Sequence, residues 1–558
     1  MARFEAQVPF LNNLFPLLTR YSRQSALVRV NDQVTQEDQR DREAQPVPIY
    51  LENILPTAKG YRNLWYRDLA RTIAMTPANF PVSPDTKYLF LRDALDNVTQ
   101  MWISQDKAAY YNSIDATTHV IATPALPTTG EEITYAYLKD QTYIFIPGSG
   151  CYYFDAGSGA FISIPLLGLD EERIKGIVAA SGYLIAYDSD AIYYSSLINP
   201  LDFVPSESTG AGSTKILGLA GAITGCLPID NGFIIYTTSN MVAASYAGNA
   251  LLPFSFKELK GSAGVSGLKY IAWSPAIPYH IAYTGTGLQQ VDKNQAQHIF
   301  PEMTDFLTSG ITETCTFDPT TAAFSGFSST VGEFNVALNY ILNRYLVISY
   351  GRSTLPYYTY ALVYDLSVGR WGKIKTDHTS VYGQADLGTF KVVTYLTLQS
   401  QGDTWNSIHT AGTIYLDWYK PSTVTYNRDQ IFGLLSVPSG TQYKLQYLDT
   451  SIPAGGSAIY TGFIVFGDYT LTRFRTVSLY ETRVDTIFPY GTDTACMIAT
   501  YIKGVRNTML PTISAAIGSG NVFLSRVTGE YFEYAIGGRS AIDLSAFSIS
   551  IGRSNGRR

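Results

Sequence analysis

A short hairpin pattern that returns along the chain is the feature that most constrains the fold. Its clearest copy places aromatic and β-branched runs at 143–146 and 151–154 on either side of a turn, 147–150, that is rich in Pro and Gly. Two such runs around such a turn predict a β-hairpin, and a third run at 160–164 adds a further strand. The same pattern recurs at 101–111, 183–194, 233–243 and 280–291.

The turns of these five hairpins are almost evenly spaced. Their tips lie at Asp106, Ser149, Ser189, Ser239 and Thr286. The intervals between successive tips are 43, 40, 50 and 47 residues. Short strands that repeat every 40–50 residues or so are typical of a β-propeller with one blade per repeat. A sixth hairpin follows an insertion, at 345–364, and a weaker seventh spans 390–418. A chain of unrelated β-meanders is the alternative interpretation.

The pattern changes at both ends of the chain. Residues 33–42 form a polar run of mixed charge that Pro46 and Pro48 close, which predicts an extended arm or a short helix outside the core. Such an arm either gains order by packing on a neighbour or is disordered. The apolar strand that follows is expected to complete the last blade and close the ring, because this removes an exposed sheet edge. After about residue 384, longer alternating strands predict a β-sandwich or an elaborated final blade. These strands lie at 442–447, 460–466, 471–480, 497–503, 531–536 and 544–551.

Together these patterns predict an all-β fold. It consists of a β-propeller of six or seven blades, some irregular, with a C-terminal antiparallel β-sandwich-like region and an extended N-terminal arm. We place the arm at 1–48, the propeller core at 49–384 and the C-terminal β region at 385–558. The C-terminal region ends in a short basic tail and could also contain the last blade.

Composition argues against one broad class of protein. The net charge is −6 and 15% of the 558 residues are charged, which gives no support to a generally basic nucleic-acid binder. The 42 tyrosines suit half-buried sheets and extended protein contacts, since each carries an apolar ring and a polar tip. The composition therefore favours a protein that works through sheet surfaces.

Cysteine spacing and apolar runs bear on the compartment. The four cysteines, Cys151, Cys226, Cys315 and Cys496, form no CxxC pair, so buried free thiols in a reducing compartment are expected in place of a zinc or redox motif. The N-terminus lacks the apolar core of a signal peptide, and the run at 216–229 is too short to cross a bilayer. We therefore expect a soluble protein without stable membrane insertion.

Motifs that carry chemistry are largely missing. The glycine-rich run 210–215 lacks the GK[ST] order of a phosphate-binding loop, and the turn 188–190 lacks the further oxygen ligands of a calcium loop. The GxSxG-like run 264–268 fails at its last position, and the five histidines show no metal-binding spacing. His280 begins an apolar strand, which predicts a core histidine. A catalytic pair of carboxylates that only the fold brings together remains an alternative.

We therefore predict a protein that is not an enzyme and that has no catalytic, cofactor-binding or metal-binding residues and no cofactor. The one set of candidate site residues is the basic tail, Arg553, Arg557 and Arg558. These guanidinium groups indicate either an interface or phosphate-facing tail, or a solubilising end of the chain.

Several segments, taken in order, resemble one family. Residues 51–63 combine an Asn-Ile-Leu-Pro stretch with a Gly-Tyr-Arg turn, and residues 196–205 lead a strand into Asn-Pro, an acidic residue and Phe. Similar segments follow at 233–246, 254–264, 304–307 and 363–371. In this order they resemble the packaged-DNA stabilisation, or tail hub and nozzle, proteins of short-tailed bacteriophages, across roughly residues 50–550. The long arm and the insertion at 312–339 depart from that family's pattern.

The resemblance implies a structural virion protein of the phage tail, assembled in the host cytoplasm. It implies a self-assembled ring, with six copies expected, that docks below the head–tail adaptor and extends and closes the DNA channel to retain and then eject the genome. The other implied partners are a tail fibre, spike, needle or tip protein, and genomic double-stranded DNA that passes without sequence-specific binding. A glycan-binding or glycan-cleaving propeller at the tail tip is the alternative, and a peptide-binding scaffold propeller is a third interpretation.

Overall fold

The structure is a computed structural model of the 558-residue chain. Apart from one α-helix and one short 3₁₀ turn, the regular elements within the described residues are β-strands. The described residues are 4–9, 47–56, 61–68, 80, 86–92, 98–104, 107–112, 117–124, 132–155, 157–216, 219–249, 252–314, 316–318, 323–324, 328–341, 344–382, 430–436, 444–449, 458–459, 462–469, 477–486, 494–502, 505–506, 510–512, 522–529, 531–538 and 543–553.

Five strands precede the first blade: β1 (Phe4–Pro9), β2 (Val47–Glu52), β3 (Ile54–Pro56), β4 (Tyr61–Asn63) and β5 (Trp65–Asp68). Five four-stranded antiparallel sheets follow, each built from consecutive strands. They are blade 1, with β6 (Lys87–Arg92), β7 (Val98–Ser104), β8 (Lys107–Asn112) and β9 (Thr117–Ala122); blade 2, with β10 (Thr134–Leu138), β11 (Gln141–Ile146), β12 (Gly150–Asp155) and β13 (Ala160–Ile164); blade 3, with β14 (Gly176–Ala180), β15 (Tyr183–Tyr187), β16 (Ala191–Tyr194) and β17 (Gly212–Lys215); blade 4, with β18 (Ile223–Ile229), β19 (Gly232–Thr237), β20 (Met241–Tyr246) and β21 (Phe254–Glu258); and blade 5, with β22 (Ile271–Ala272), β23 (His280–Thr284), β24 (Gly287–Val291) and β25 (Ala296–His298).

An insertion separates blade 5 from blade 6, as the sequence predicts, but it lies at 301–331 and not at 312–339, because 334–339 belong to the first strand of blade 6. It contains α1 (Pro301–Ser309) and four short strands, of which the first pairs with the fourth and the second with the third: β26 (Ile311–Thr314), β27 (Phe317–Asp318), β28 (Ala323–Phe324) and β29 (Ser328–Val331). Blade 6 consists of β30 (Phe334–Ile341), β31 (Tyr345–Arg352), β32 (Tyr358–Asp365) and β33 (Arg370–Tyr382). The C-terminal strands are β34 (Gln430–Ser436), β35 (Lys444–Asp449), β36 (Ala458–Ile459), β37 (Gly462–Tyr469), β38 (Val477–Thr486), β39 (Thr494–Ile502), β40 (Val505–Arg506), β41 (Leu510–Thr512), β42 (Val522–Gly529), β43 (Tyr531–Gly538) and β44 (Asp543–Arg553).

The six hairpins predicted from the sequence are confirmed. Each is formed by the second and third strands of a blade, for example β11 with β12 and β31 with β32. The seventh, weaker hairpin at 390–418 and the domain boundary at 384 both lie outside the described residues. Six blades are therefore present within the described part of the chain.

The second strands of the blades explain why the sheets stack. Every residue of β15 and of β19 is buried. Because side chains alternate between the two faces of a strand, both faces of these sheets must be covered. In β15, Leu184 and Ala186 pack into the apolar cluster shared with blade 2. Tyr183, Ile185 and Tyr187 pack into the cluster shared with blade 4.

Apolar clusters of this kind join each blade to the next. They lie between blades 1 and 2, 2 and 3, 3 and 4, 4 and 5, and 5 and 6. The helix α1 packs into the last of these through Met303, Phe306 and Leu307. The strand β33 of blade 6 also approaches β6 of blade 1, which brings the two end blades together. Antiparallel sheets that stack face to face in a closed circuit make this fold a β-propeller.

The first and second strands of blades 2, 3 and 4 are joined by two-residue turns with left-handed backbone. The φ angle is +49° at Lys139 and +62° at Asp140, +52° at Ser181 and +85° at Gly182, and +43° at Asp230. Left-handed residues in such turns match the right-handed twist of the paired strands. Because four of these five residues are not glycine, the turns leave a weak signal, and the sequence analysis does not identify the first strand of each blade.

Blades 2 and 6 share a second kind of turn, between their third and fourth strands. In each, an aspartate carboxylate accepts bonds from the turn: Gly157 N–H bonds to Asp155, and Ser367 N–H and O–H bond to Asp365. The carbonyl of the same aspartate accepts from a left-handed glycine four residues later. In blade 6, Arg344 donates to both oxygens of the fully buried Asp365 carboxylate, with Nε 3.1 Å from each oxygen and Nη2 2.6 Å from one of them.

The N-terminal segment pairs with the last blade, as the sequence predicts, and covers its outer edge. It does not complete the blade, because blade 6 already has four strands of its own. The strand β3 pairs with β33 through Ile54 and Lys373. The Lys373 ammonium lies 4.4 Å from the ring centre of Tyr50 and 4.6 Å from that of Tyr360, and the side chain is buried. A desolvated cation between two rings is stabilised by about 2 kcal/mol or more. This contact fastens the N-terminal segment to blade 6.

The C-terminal strands form two antiparallel sheets. One is continuous with blade 6 and runs in the order β36, β5, β35, β34, β33, β3, β4, β44, β38, β42, with β1 paired to β44. The other runs β2, β37, β43, β39, β40, with β41 on β39, and approaches the first sheet where β39 nears β42. Strands overlap all six positions predicted in this region. The sequence offered two alternatives for this region, a β-sandwich and an elaborated final blade. The first sheet is an elaborated final blade, because it continues the sheet of blade 6.

We predict that Asp365→Ala destabilises the protein far more than Asp155→Ala does. The first change removes a buried carboxylate together with its ion pair to Arg344. We expect a loss of about 2–3 kcal/mol, less than for a fully buried pair, because the arginine side chain is 36% exposed and water screens the interaction. The second change removes the same kind of turn contact at the surface. Urea unfolding of the two variants measures the difference, and equal losses would contradict the role given to Arg344.

Candidate functional site

Two histidines are buried inside the blades with both ring nitrogens bonded. His280 Nε2 lies 2.9 Å from the Pro228 carbonyl, and Nδ1 lies 2.6 Å from the Tyr236 hydroxyl. Since a carbonyl only accepts, Nε2 carries the proton and the tyrosine donates to Nδ1. Burial lowers the pKa of His280 to about 4, so its ring is neutral at pH 7. The sequence prediction of a core histidine is confirmed.

His378 forms a buried pair with Ser349 that resembles half of a catalytic triad. Ser349 Oγ lies 2.9 Å from Nε2, and Nδ1 lies 2.7 Å from the Thr376 carbonyl. The serine therefore donates to a neutral imidazole, as in a serine hydrolase. However, His378 is fully buried and Ser349 is nearly so, which keeps the hydroxyl from a substrate. Burial lowers the pKa of His378 to about 4. The pair is a structural contact between β31 and β33.

The turn at 188–190 uses its carboxylate to build the blade. Asp188 accepts from the N–H groups of Asp190 and Ala191 at 2.8 and 2.7 Å and from the Tyr193 hydroxyl at 2.9 Å. Burial by itself would raise the pKa of Asp188, but these bonds and the nearby Arg173 lower it. The interpretation of this segment as a β-turn is confirmed. No group of three or more His, Cys, Asp or Glu side chains within the described residues is placed to hold a metal ion.

The other candidate sites considered in the sequence are also structural elements of the fold. The run 210–215 continues into strand β17 and not into a helix, so it is no phosphate-binding loop. Run 264–268 connects β21 with β22. Cys151 and Cys226 are buried free thiols, and burial raises the pKa of Cys151 to about 12, so it is no thiolate nucleophile at pH 7. Cys315 lies outside the described residues.

A carboxylate near the propeller axis joins elements from opposite sides of the ring. Glu132 precedes the first strand of blade 2, and one of its oxygens forms an ion pair with Lys87, at the start of blade 1. The other oxygen accepts from the backbone N–H of Lys269 at 3.1 Å. Lys269 belongs to a 3₁₀ turn, Leu268–Tyr270, that leads into blade 5 and also approaches β30 of blade 6. We call this group the axial clamp.

Two glycines in the inner strands of blades 3 and 4 make room for larger side chains near the axial clamp. A Cβ on Gly225, in the first strand of blade 4, would lie 2.3 Å from Leu268 Cδ2. A Cβ on Gly176, in the first strand of blade 3, would lie 2.4 Å from the Tyr187 hydroxyl. Both glycines therefore leave room for a larger side chain beside the inner strands. Nothing in the local sequence marks Glu132, because its partners are distant along the chain.

An ordered loop on the rim of blades 2 and 3 presents exposed apolar side chains. The loop, 196–205, is one of the six segments on which the family resemblance rests. Ser196 Oγ accepts from the N–H groups of Ile198 and Asn199, and the Lys139 ammonium donates to the carbonyls of Leu197 and Ile198 at 2.6 and 2.8 Å. These bonds hold the loop in one conformation.

The loop is also fastened at its far end. Leu167 N–H donates to the Leu201 carbonyl, and Phe203 N–H donates to the Leu167 carbonyl, at 2.9 and 2.8 Å. Phe203 is buried in the cluster between blades 2 and 3. Four apolar side chains remain exposed, and we call them the rim ridge: Leu167, Leu197, Ile198 and Val204. Exposed apolar side chains on neighbouring hydrogen-bonded loops are a feature of protein-binding surfaces.

The basic tail is only partly described. Arg553 is the last residue of β44, in register with Val477 of β38. Arg557 and Arg558 lie outside the described residues, so the interface or phosphate-facing role of the three arginines stays a prediction. In the described part of the chain, helices long and apolar enough to span a bilayer are absent.

No protein-family model and no curated protein matches the chain. Among solved structures, a chain of "Crystal Structure of Mitotic Checkpoint Complex" is 10% identical, with a TM-score of 0.33, over 57% of this chain and 86% of that one. "YCF48 bound to D1 peptide" is 9% identical, with a TM-score of 0.36, over 70% and 99%. The WD40 domain from Toxoplasma gondii coronin is 9% identical, with a TM-score of 0.35, over 72% and 89%. Similarity this low adds no argument, so the propeller assignment rests on the sheets themselves.

We predict that Glu132→Ala releases the 3₁₀ turn at the axis. Hydrogen exchange at the Lys269 amide should accelerate, because that N–H loses its acceptor. Lys87→Met is the matched control, since it breaks the ion pair but leaves the acceptor for Lys269 in place. Equal acceleration in both variants would show that the ion pair, and not the bond to Lys269, holds the turn.

We predict that the protein loses stability between pH 6.5 and pH 4. His280 and His378 are neutral when folded down to about pH 4, whereas an unfolded histidine takes up a proton near pH 6.5. Below pH 6.5 the unfolded state therefore binds more protons, which lowers the free energy of unfolding by about 3 kcal/mol for each histidine at pH 4. Urea midpoints measured from pH 7 to pH 4.5 give the dependence of stability on pH. This dependence should be weaker in a His280→Gln/His378→Gln variant.

Proposed function

We propose that this chain is a structural protein of a short-tailed phage tail, a hub or nozzle subunit of the virion. In this role it assembles into a ring below the head–tail adaptor, holds a fibre, spike, needle or tip protein, and extends and closes the DNA channel. The placement in a tail is supported by the order of the segments that resemble that family, from residue 51 to residue 371.

The observation that carries a structural role is the contrast between the interior and the rim. The described polar groups that could suggest chemistry are bonded within the fold, as at His280, His378 and Asp188. The rim ridge, by contrast, exposes apolar side chains on a loop whose backbone is already ordered. A surface that loses little conformational entropy on binding is suited to permanent protein contacts.

The axial clamp bears on the path of DNA in this proposal. Glu132 joins the starts of blades 1 and 2 to the turn that leads into blade 5. In the proposed role, DNA passes through the centre of the assembled ring and not through a single propeller. A net charge of −6 suits a lumen that does not hold DNA, since each neutralised phosphate would slow its transit.

A glycan-binding propeller is the second candidate, and one observation favours it. Tyr135 and Tyr137 lie on the same side of β10, the first strand of blade 2, and are 40% and 44% exposed. Tyrosine hydroxyls, with an ordinary pKa of about 10, are neutral at pH 7. Exposed neutral aromatic rings offer flat faces on which sugar rings stack.

We predict that the purified chain forms a closed ring and sediments with isolated head–tail adaptor rings. Native mass measurement gives the number of copies, and co-sedimentation gives the adaptor contact. A chain that stays monomeric at every concentration and ignores adaptor rings would contradict the proposal. Incubation with host surface polysaccharide distinguishes the second candidate from the first. Binding of the protein to the polysaccharide that is lost in Tyr135→Ala/Tyr137→Ala would favour glycan binding. Depolymerisation of the polysaccharide would overturn the structural role.

A further inference from the structure

We propose that the rim ridge binds the N-terminal arm of a second copy of this chain, through arm residues 10–30. The inference deepens the proposed function, because it requires that copies of the chain associate. The binding surface is formed by described residues on blades 2 and 3. Residues 10–46 lie outside the described residues, and only their sequence enters the argument.

The chemistry of the two segments is complementary. Residues 10–30 contain no acidic residue and three arginines, Arg20, Arg23 and Arg29, among Phe, Leu and Val side chains. The two loops that form the rim ridge, 165–175 and 196–211, contain five acidic and two basic residues. Apolar side chains of the arm match the ridge itself, and its guanidinium groups match the carboxylates around the ridge.

Exposed carboxylates surround the rim ridge on both of its loops. Asp170 and Glu172 lie on the first loop and Glu207 on the second, and all three are exposed. The nearby Lys139 ammonium is already bonded to two carbonyls of the loop, so it serves the loop's own structure. An apolar centre with charged residues at its edge is the usual arrangement of a protein interface.

The anchor points of the arm favour a second copy over the same copy. The arm leaves β1, which pairs with β44, and returns through β2, which pairs with β37. Both partners belong to the C-terminal sheets that extend or adjoin blade 6. In a circuit of six blades, blade 6 lies opposite blade 3, which carries the ridge loop. The anchors and the ridge are therefore on opposite sides of one chain.

Opposite placement suits a head-to-tail contact. In such a contact the C-terminal side of one copy faces the rim ridge of the next, and a ring forms when the rotation between copies closes on itself. The 37 residues between β1 and β2 can extend about 60 Å out and return, at about 3.3 Å per residue. That reach lets the arm cover a neighbour's rim without separating β1 or β2 from its partner strand.

Photo-crosslinking tests the proposal in the full-length protein. Phe15 is replaced by benzoylphenylalanine, and ¹⁴N- and ¹⁵N-labelled chains are mixed before irradiation. We expect mixed-isotope crosslinks between the arm and peptides that contain residues 167 or 197–204. Crosslinks confined to chains of one isotope, or mapped to another surface, would overturn the proposal.

Matched variants distinguish a specific effect of the rim ridge from the general effect of a new surface charge. Ile198→Asp should lower the crosslink yield about tenfold, whereas Val331→Asp, at an equally exposed residue on β29, should leave it unchanged. The two side chains are 78% and 77% exposed. Arg20→Glu/Arg23→Glu should also lower the yield, and Arg20→Lys/Arg23→Lys should restore most of it. Equal effects of Ile198→Asp and Val331→Asp would overturn the assignment of the ridge.

Native mass measurement of the same samples distinguishes this inference from the proposed function. Rings that form without crosslinks between arm and ridge would overturn the inference and leave the structural role standing. A chain that never associates would overturn both. Both are supported if the unmodified chain forms rings with mixed-isotope crosslinks and the Ile198→Asp variant forms no rings.

Discussion

The structure depends on sheets that have two apolar faces. A strand such as β15, with every residue buried, cannot sit in a sheet that faces water on one side. Each blade therefore requires a neighbour on both sides, and a circuit of blades supplies one. The clusters between successive blades are the result, and they include aromatic contacts such as Tyr183 with Phe254 of the next blade, at 5.7 Å. The fold follows from this requirement more than from any single contact.

Blade 6 meets the same requirement in another way. One of its faces packs on blade 5 and α1, while the other packs on Leu55 and Leu64 of the N-terminal segment through Val347 and Ile374. The edge of the blade at β33 is paired with β3 and β34, which removes the free hydrogen-bonding groups of an edge strand. The N-terminal and C-terminal strands are thus structural parts of the last blade.

The sequence predicted the hairpins well because each pairs two buried, β-branched strands around a polar or glycine-rich turn. It did not reveal the first strands of the blades, since β10 is only five residues long and ends in a turn at Lys139 and Asp140 without glycine. The loop at 196–205 was singled out, but its exposure depends on Phe203 inserting between blades 2 and 3. The axial clamp was missed because Glu132 and Lys269 are brought together only by the complete ring.

The pairing of β1 with β44 has a consequence for folding kinetics. Phe4 lies opposite Ile551, so this contact joins residues that are 547 positions apart in the sequence. Contacts of such long separation form slowly, because the entropy of closing the loop between them has to be overcome first. The sheet around blade 6 is therefore expected to be completed after the blades, and its strands keep open edges until then. A folding intermediate with open edge strands is a natural client for a holding chaperone.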